Sequence, residues 1–167
     1  MTAASLKRIA SYLAVQNRFS SIAEVERYLR EVHQHFGALT NEQWRHLATH
    51  SGVSESDGTL RLHYDPTIAR QFTWPWMVDI NLWHVWDRVA CPVLVLRGAQ
   101  SDLLLAGTVR DMLRRGTAAR LGLVEARQVD GCGHAPALMD DDVLETVYRF
   151  LQGSRHAAAD DAAGGMR

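Results

Sequence analysis

Cysteine is scarce in this chain: Cys91 and Cys132 are the two present, each in or beside an apolar run. Two thiols are too few for a disulfide-stapled scaffold, and their setting fits reduced packing residues. Charge of one sign is not in excess either. Eighteen basic and 19 acidic side chains leave a formal charge of -1, too little field to hold a phosphate backbone or an anionic membrane, so neither nucleic acid nor membrane is expected as a partner. Apolar runs all fall short of the roughly 18 to 20 residues a transmembrane helix needs. The stretch 6–15 carries Lys7 and Arg8 inside its apolar segment, with no small-residue cleavage site after it, so it does not read as a signal peptide and a cytoplasmic location is the default. What remains, with 167 residues, 47% hydrophobic and 22% charged, is the profile of a soluble globular chain able to bury a core.

The first 50 residues read as helix. Ser20 or Ser21 can cap a segment whose Ile22, Val25, Tyr28, Leu29, Val32 and Phe36 recur at three- and four-residue steps, with Gly37 as its stop. Thr40 opens a second helix, Gln43 completes a capping box, and Trp44 and Leu47 form the apolar stripe. The turn signal Asp57-Gly58 precedes an alternating Leu60-Arg61-Leu62-His63-Tyr64, which predicts a short strand, and Asp65-Pro66 starts a short helix. Phe72, Trp74, Trp76, Trp83 and Trp86 then crowd together around Pro75, with a helix predicted over 78–88.

From there the pattern is βαβα: strand 91–96, helix 105–115, strand 121–129, helix 140–152. Asp140, Asp141 and Asp142 fall where a helix N-terminus favours negative charge. The stretch from Gly153, rich in Ala, Asp and Gly, is expected to be disordered. The division this suggests is a helical cap-like region 1–86, a βαβα part 87–152 and a tail 153–167.

Two residues stand where reactive groups are presented in α/β proteins, at the ends of buried strands. Asp102 follows Cys91-Pro92-Val93-Leu94-Val95-Leu96 and the loop Arg97-Gly98-Ala99-Gln100-Ser101, and His134 sits in Gly131-Cys132-Gly133-His134-Ala135-Pro136. The bland alternatives are a helix-capping Asp and a structural His held in a glycine turn. An acid that orients an imidazole is two thirds of a hydrolytic triad.

With the final helix ending in Phe150-Leu151, these two motifs resemble the closing portion of α/β-hydrolase-fold enzymes, most clearly over 87–152. The resemblance implies a partial α/β-hydrolase fold, a helical cap followed by a βαβα remnant of its parallel sheet. It makes Asp102 the triad acid and His134 the triad base. The implied chemistry is hydrolysis of an ester- or amide-type bond in a small apolar or ester-like substrate, with no cofactor and no metal. Trp83 and Trp86, placed between cap and catalytic strands, are candidates for lining the substrate pocket.

The departure from that family is the nucleophile. No G-x-S-x-G elbow occurs, and the nearest string, Gly52-Val53-Ser54-Glu55-Ser56, lacks the closing glycine and follows a helix, so Ser54 reads as a loop serine. An H-G-G-G oxyanion loop is absent too. Cys132 is too near His134 in one turn to converge with it on a substrate atom. His46 and His50 are at helical i, i+4 spacing, but Leu47 stands where a metalloprotease needs Glu; His33 and His35 point apart. The expectation is therefore a hydrolase portion, inactive alone, from a truncated or late-started reading frame whose Met1 lies within the cap. A separate N-terminal half, or a second copy through the exposed sheet edge, would be its partner. Ser, Asp or Cys could be the nucleophile of the complete enzyme. The alternative is a non-catalytic remnant or module that binds a small apolar ligand or a partner protein.

Overall fold

A computed structural model describes residues 17–65, 67, 68 and 81–164. The expectations for residues 1–16, the helix at Asp65-Pro66 beyond its first turn, the start of the 78–88 helix, and Phe72, Trp74, Pro75 and Trp76 lie outside the described residues. The chain divides into two units, residues 1–82 and 83–167, a boundary slightly before the 86/87 division drawn from composition.

The N-terminal unit is built by local capping. Ser21 caps α1 (Ile22–Val32), its hydroxyl accepting the Glu24 N–H, while the Glu24 carboxylate accepts the Ser20 N–H at 2.7 Å. The helix stops at Val32, short of Gly37, because His33 leaves helical geometry and turns back to stack on Phe36 with ring centroids 4.0 Å apart. Thr40 and Gln43 form the expected capping box at the start of α2 (Asn41–Ser51), with bonds of 3.2 and 2.8 Å. The apolar stripes then meet: Val25, Leu29, Trp44 and Ala48 are buried together with Phe19.

Beside them lies a small antiparallel sheet in the order β1 (Arg18–Phe19), β3 (Leu60–Leu62), β2 (Gly52–Ser54). Leu60 pairs with both Phe19 and Ser54. Ser54, expected in a loop, is thus the exposed last residue of a strand. β3 is the short strand that the alternation from Leu60 predicts, ending at Leu62 instead of reaching Tyr64, whereas β1 and β2, of two and three residues, were not foreseen. The β2–β3 turn is the one expected, with Gly58 at φ 82° and the Glu55 N–H bonded to Thr59 O at 2.8 Å.

The C-terminal unit begins with the short α3 (Trp83–Trp86). It continues through β4 (Val93–Gly98), α4 (Ala106–Met112), α5 (Thr117–Arg120), β5 (Val124–Val129) and α6 (Asp141–Gly164). β4 and β5 pair in parallel from Val93↔Val124 to Gly98↔Val129, which is the βαβα order read from the sequence. Each strand starts two or three residues late. Pro92 has no N–H to give the ladder, and 117–120 form an unforeseen helical turn before β5.

Asp140 starts α6 as expected, its carboxylate accepting the Asp142 and Val143 N–H groups at 3.1 and 3.3 Å. The helix runs on to Gly164 through the Ala-rich stretch where disorder was expected from Gly153; alanine is the strongest helix former, and here that propensity outweighs the low hydrophobicity. Val143 packs on Val129, Cys132 and Leu96. Cys132 is thus a packing residue, whereas Cys91, expected to be one, is exposed ahead of β4.

Candidate active site

In a parallel pair both strands point the same way, so the loops that follow them leave one edge of the sheet. Asp102 lies in the loop after β4 and His134 in the loop after β5. The two loops are fastened together at their roots. The Ala99 N–H bonds to Val129 O at 2.8 Å and the Gln100 N–H to Cys132 O at 2.9 Å.

Gly98 makes this approach possible. A Cβ at that position would lie 1.8 Å from Gly133 O and 2.6 Å from Cys132 O, so the backbone of the His134 loop occupies the space of a side chain. Gly131, at φ 69°, supplies the turn that brings the loop there.

The acid loop is also ordered from within. Ser101 is buried; its N–H bonds to Gly98 O at 3.0 Å, and its hydroxyl accepts the Leu104 N–H at 3.0 Å. Arg97, on β4, donates to Leu104 O at 2.8 Å and Ala99 O at 3.1 Å, carbonyls on either side of Asp102. Asp102 does not cap the helix that follows: the N-cap of α4 is Leu105, with no side-chain hydrogen bond. Both Asp102 and His134 are exposed. The fold thus brings the loops of Asp102 and His134 to one edge of the sheet.

The sequence reading passed over Arg97, Gly98 and Ser101 as mere neighbours of Asp102. Gly98 had a signal, since a glycine closing an apolar strand marks close backbone approach. Arg97 had none, because its role depends on which carbonyls the loop turns toward it.

Trp83 and Trp86 are half-buried on α3 around one arginine: the Arg115 guanidinium stacks over Trp83 at 5.0 Å, and the Trp86 indole N–H donates to Arg115 O at 2.9 Å. Asp87 grips the same guanidinium at 2.7 Å on both oxygens, which holds its carboxyl below the usual carboxylate range. The Cys132 thiol is pushed up by burial and by Asp140 and Asp130, which suppresses the thiolate a nucleophile would need. His46 and His50 stand 4.3 Å apart on α2, and among the described residues no group of three His, Cys, Asp or Glu could hold a metal ion. No helix among them is long and apolar enough to cross a membrane. A cavity of about 390 Å³, lined by Pro92, Leu123, Glu125 and Phe150, opens at the starts of β4 and β5, the opposite end from Asp102 and His134.

No family model matches the chain. A 3-hydroxybutyrate-oligomer hydrolase of Cupriavidus necator is 37% identical over 158 residues, 90% of this chain and 52% of that protein. Among solved structures, an α/β hydrolase from Novosphingobium aromaticivorans superposes with a TM-score of 0.74 at 29% identity, over 90% of this chain and 52% of its own. A hydrolase candidate from Rickettsia typhi does so with a TM-score of 0.77 at 26% identity, over 92% and 50%. The class these likenesses define is an α/β protein with a parallel sheet. More particularly, the chain is part of an α/β-hydrolase fold, and it spans about half the length of the relatives it matches, in keeping with the C-terminal portion.

Proposed function

We propose that this chain supplies the acid and base of a hydrolase whose nucleophile and oxyanion donors lie outside it. The observation that carries this reading is the parallel β4–β5 pairing, from whose shared edge the loops of Asp102 and His134 emerge. In the complete site His134 takes the nucleophile's proton and returns it to the leaving group, while Asp102 holds the imidazole tautomer and stabilises its positive charge. Catalytic hydrogen bonds of this kind commonly tighten only in the assembled, substrate-bound site. The residues before Trp83 act as a lid in this reading, and Trp83 and Trp86 add apolar surface near the substrate with their rings oriented by Arg115. The location is cytoplasmic, and the substrate, by analogy with the Cupriavidus relative, is an ester-linked oligomer of a short hydroxy acid. What completes the site is the other half of the fold, which carries the nucleophile.

The chain alone is expected to be inactive, because triad members act as a unit. The test mixes it with the half of the Cupriavidus hydrolase that it does not match, checks assembly by size-exclusion chromatography, and assays p-nitrophenyl esters and 3-hydroxybutyrate dimers. Hydrolysis should appear in the assembled complex only, and Asp102→Asn or His134→Ala should lower it about 10³- to 10⁴-fold. An assembled but inactive complex, or activity that survives His134→Ala, would sink the reading. Covalent labelling of the isolated chain by a fluorophosphonate would also count against it.

A further inference from the structure

We propose that Arg97 is the positioning residue of this site, locking the backbone on both sides of Asp102 and coupling that loop to the strand that leads to His134. The inference rests on the triad reading for its purpose and on the geometry for its content. Arg97 pairs in register with Gln128 across the parallel ladder. Its Nε donates to Leu104 O at 2.8 Å, one Nη to Ala99 O at 3.1 Å, and the other Nη to Gln128 Oε1 at 2.9 Å. Gln128 passes the connection on, its amide donating to the Asp130 carboxylate at 3.2 Å, at the root of the His134 loop. One guanidinium therefore spans the start and end of the acid loop and the neighbouring strand.

The chemistry of the side chain explains why arginine stands here. A planar guanidinium carries five N–H donors in fixed directions, so bonding two carbonyls at once fixes the distance between them. An ammonium at the end of a flexible stem keeps the charge but not the fork. Asp102 and His134 sit on separate loops, one after β4 and one after β5. Their relative placement then depends on what holds the loops, and misplacement by about 1 Å can cost about a hundredfold in rate. Arg97 itself is engaged with backbone and Gln128, so it acts through Asp102.

The experiment compares Arg97→Met, Arg97→Lys and Gln128→Ala in the ¹⁵N-labelled chain by amide exchange and by the ring resonances of His134. In both Arg97 variants the Ser101 and Leu104 amides should exchange about tenfold faster while the β4–β5 ladder is unchanged. Arg97→Met should also move the His134 ring signals, as Asp102→Asn does. Gln128→Ala, which spares the guanidinium–carbonyl bonds and the fold, should speed loop exchange a few-fold and still move the His134 signals. In the assembled hydrolase Arg97→Met should lower kcat and leave KM within about twofold. Unchanged loop exchange in Arg97→Met, or a lysine variant that behaves as wild type, overturns the proposal; so does kcat that stays at the wild-type level. If Arg97→Met unfolds the ladder, Gln128→Ala decides. Failure of the triad reading shows differently, as hydrolysis that ignores Asp102→Asn while the loop still loosens in Arg97→Met.

Discussion

The two units solve the problem of closing a core to different degrees. Among its described residues the N-terminal unit uses modest parts, two 11-residue helices and strands of two or three residues, yet Val25 and Ala48 are fully buried and Phe19, Leu29 and Trp44 nearly so. The C-terminal unit has longer strands, six residues each, but among the described residues its sheet has two of them. Val129, Cys132 and Val143 are its buried cluster, while Leu144, Tyr148 and Leu151 on α6 stay 45%, 59% and 54% exposed. A two-stranded parallel sheet offers too little surface for α6 to cover. The part that presents Asp102 and His134 is the less closed one.

The largest blow to that comparison comes from the N-terminal core. Trp44→Ala removes a buried indole that also carries the Arg30 guanidinium 5.4 Å above its ring, and should cost about 3–5 kcal/mol. Denaturant melts followed by amide exchange in α1 and α2 would measure it. A loss below about 1 kcal/mol would mean that this core is no tighter than the C-terminal one. Next in size is Gly98→Ala. Its Cβ meets backbone carbonyls of Gly133 and Cys132, which have no flexible end to swing aside, so the His134 loop must lift off β4 at about 1–3 kcal/mol or more. Loss of protection at the Gln100 amide, now bonded to Cys132 O, would report the displacement. A variant as stable and as protected as wild type would show that the two loops are not held together here.

What the sequence could tell follows from how local each cause is. The Thr40–Gln43 capping box, the Ser21 cap, the Asp57-Gly58 turn and the Asp140 cap are all settled within four residues, and each appears where its residues predict it. The order of Asp102 and His134 after successive strands was legible for the same reason, since a parallel pair needs only a strand, a crossover and a strand. Long-range causes left no trace. The β1–β3 pairing joins segments about 40 residues apart, and β1 is too short to alternate, so only β3 was legible. The exposure of Cys91, the gathering of Trp83, Trp86 and Asp87 around Arg115, and the grip of Arg97 on its loop all depend on which atoms the tertiary fold turns toward them.

The smallest effect separates the units by pH. His33 is partly buried in the N-terminal unit, stacked on Phe36, and burial lowers its pKa below the ordinary value near 6.5. The unfolded chain therefore takes up the proton first, and as the pH drops below about 6.5 it gains stability relative to the folded unit. The contribution of His33 is complete above that pH and is lost as the pH falls through the window toward its folded pKa. Glu24 and Asp57 also have lowered pKa values, from the Ser20 and Thr59 hydrogen bonds, and they too destabilise on acidification. Their window lies below the ordinary carboxylate range, near 4, so melts between pH 7 and 5 isolate the histidine. Across that span the N-terminal unit should lose stability in the wild type and lose less in His33→Phe, which keeps the stack on Phe36. An unchanged slope in that variant would assign the pH dependence to another group and remove this distinction between the units.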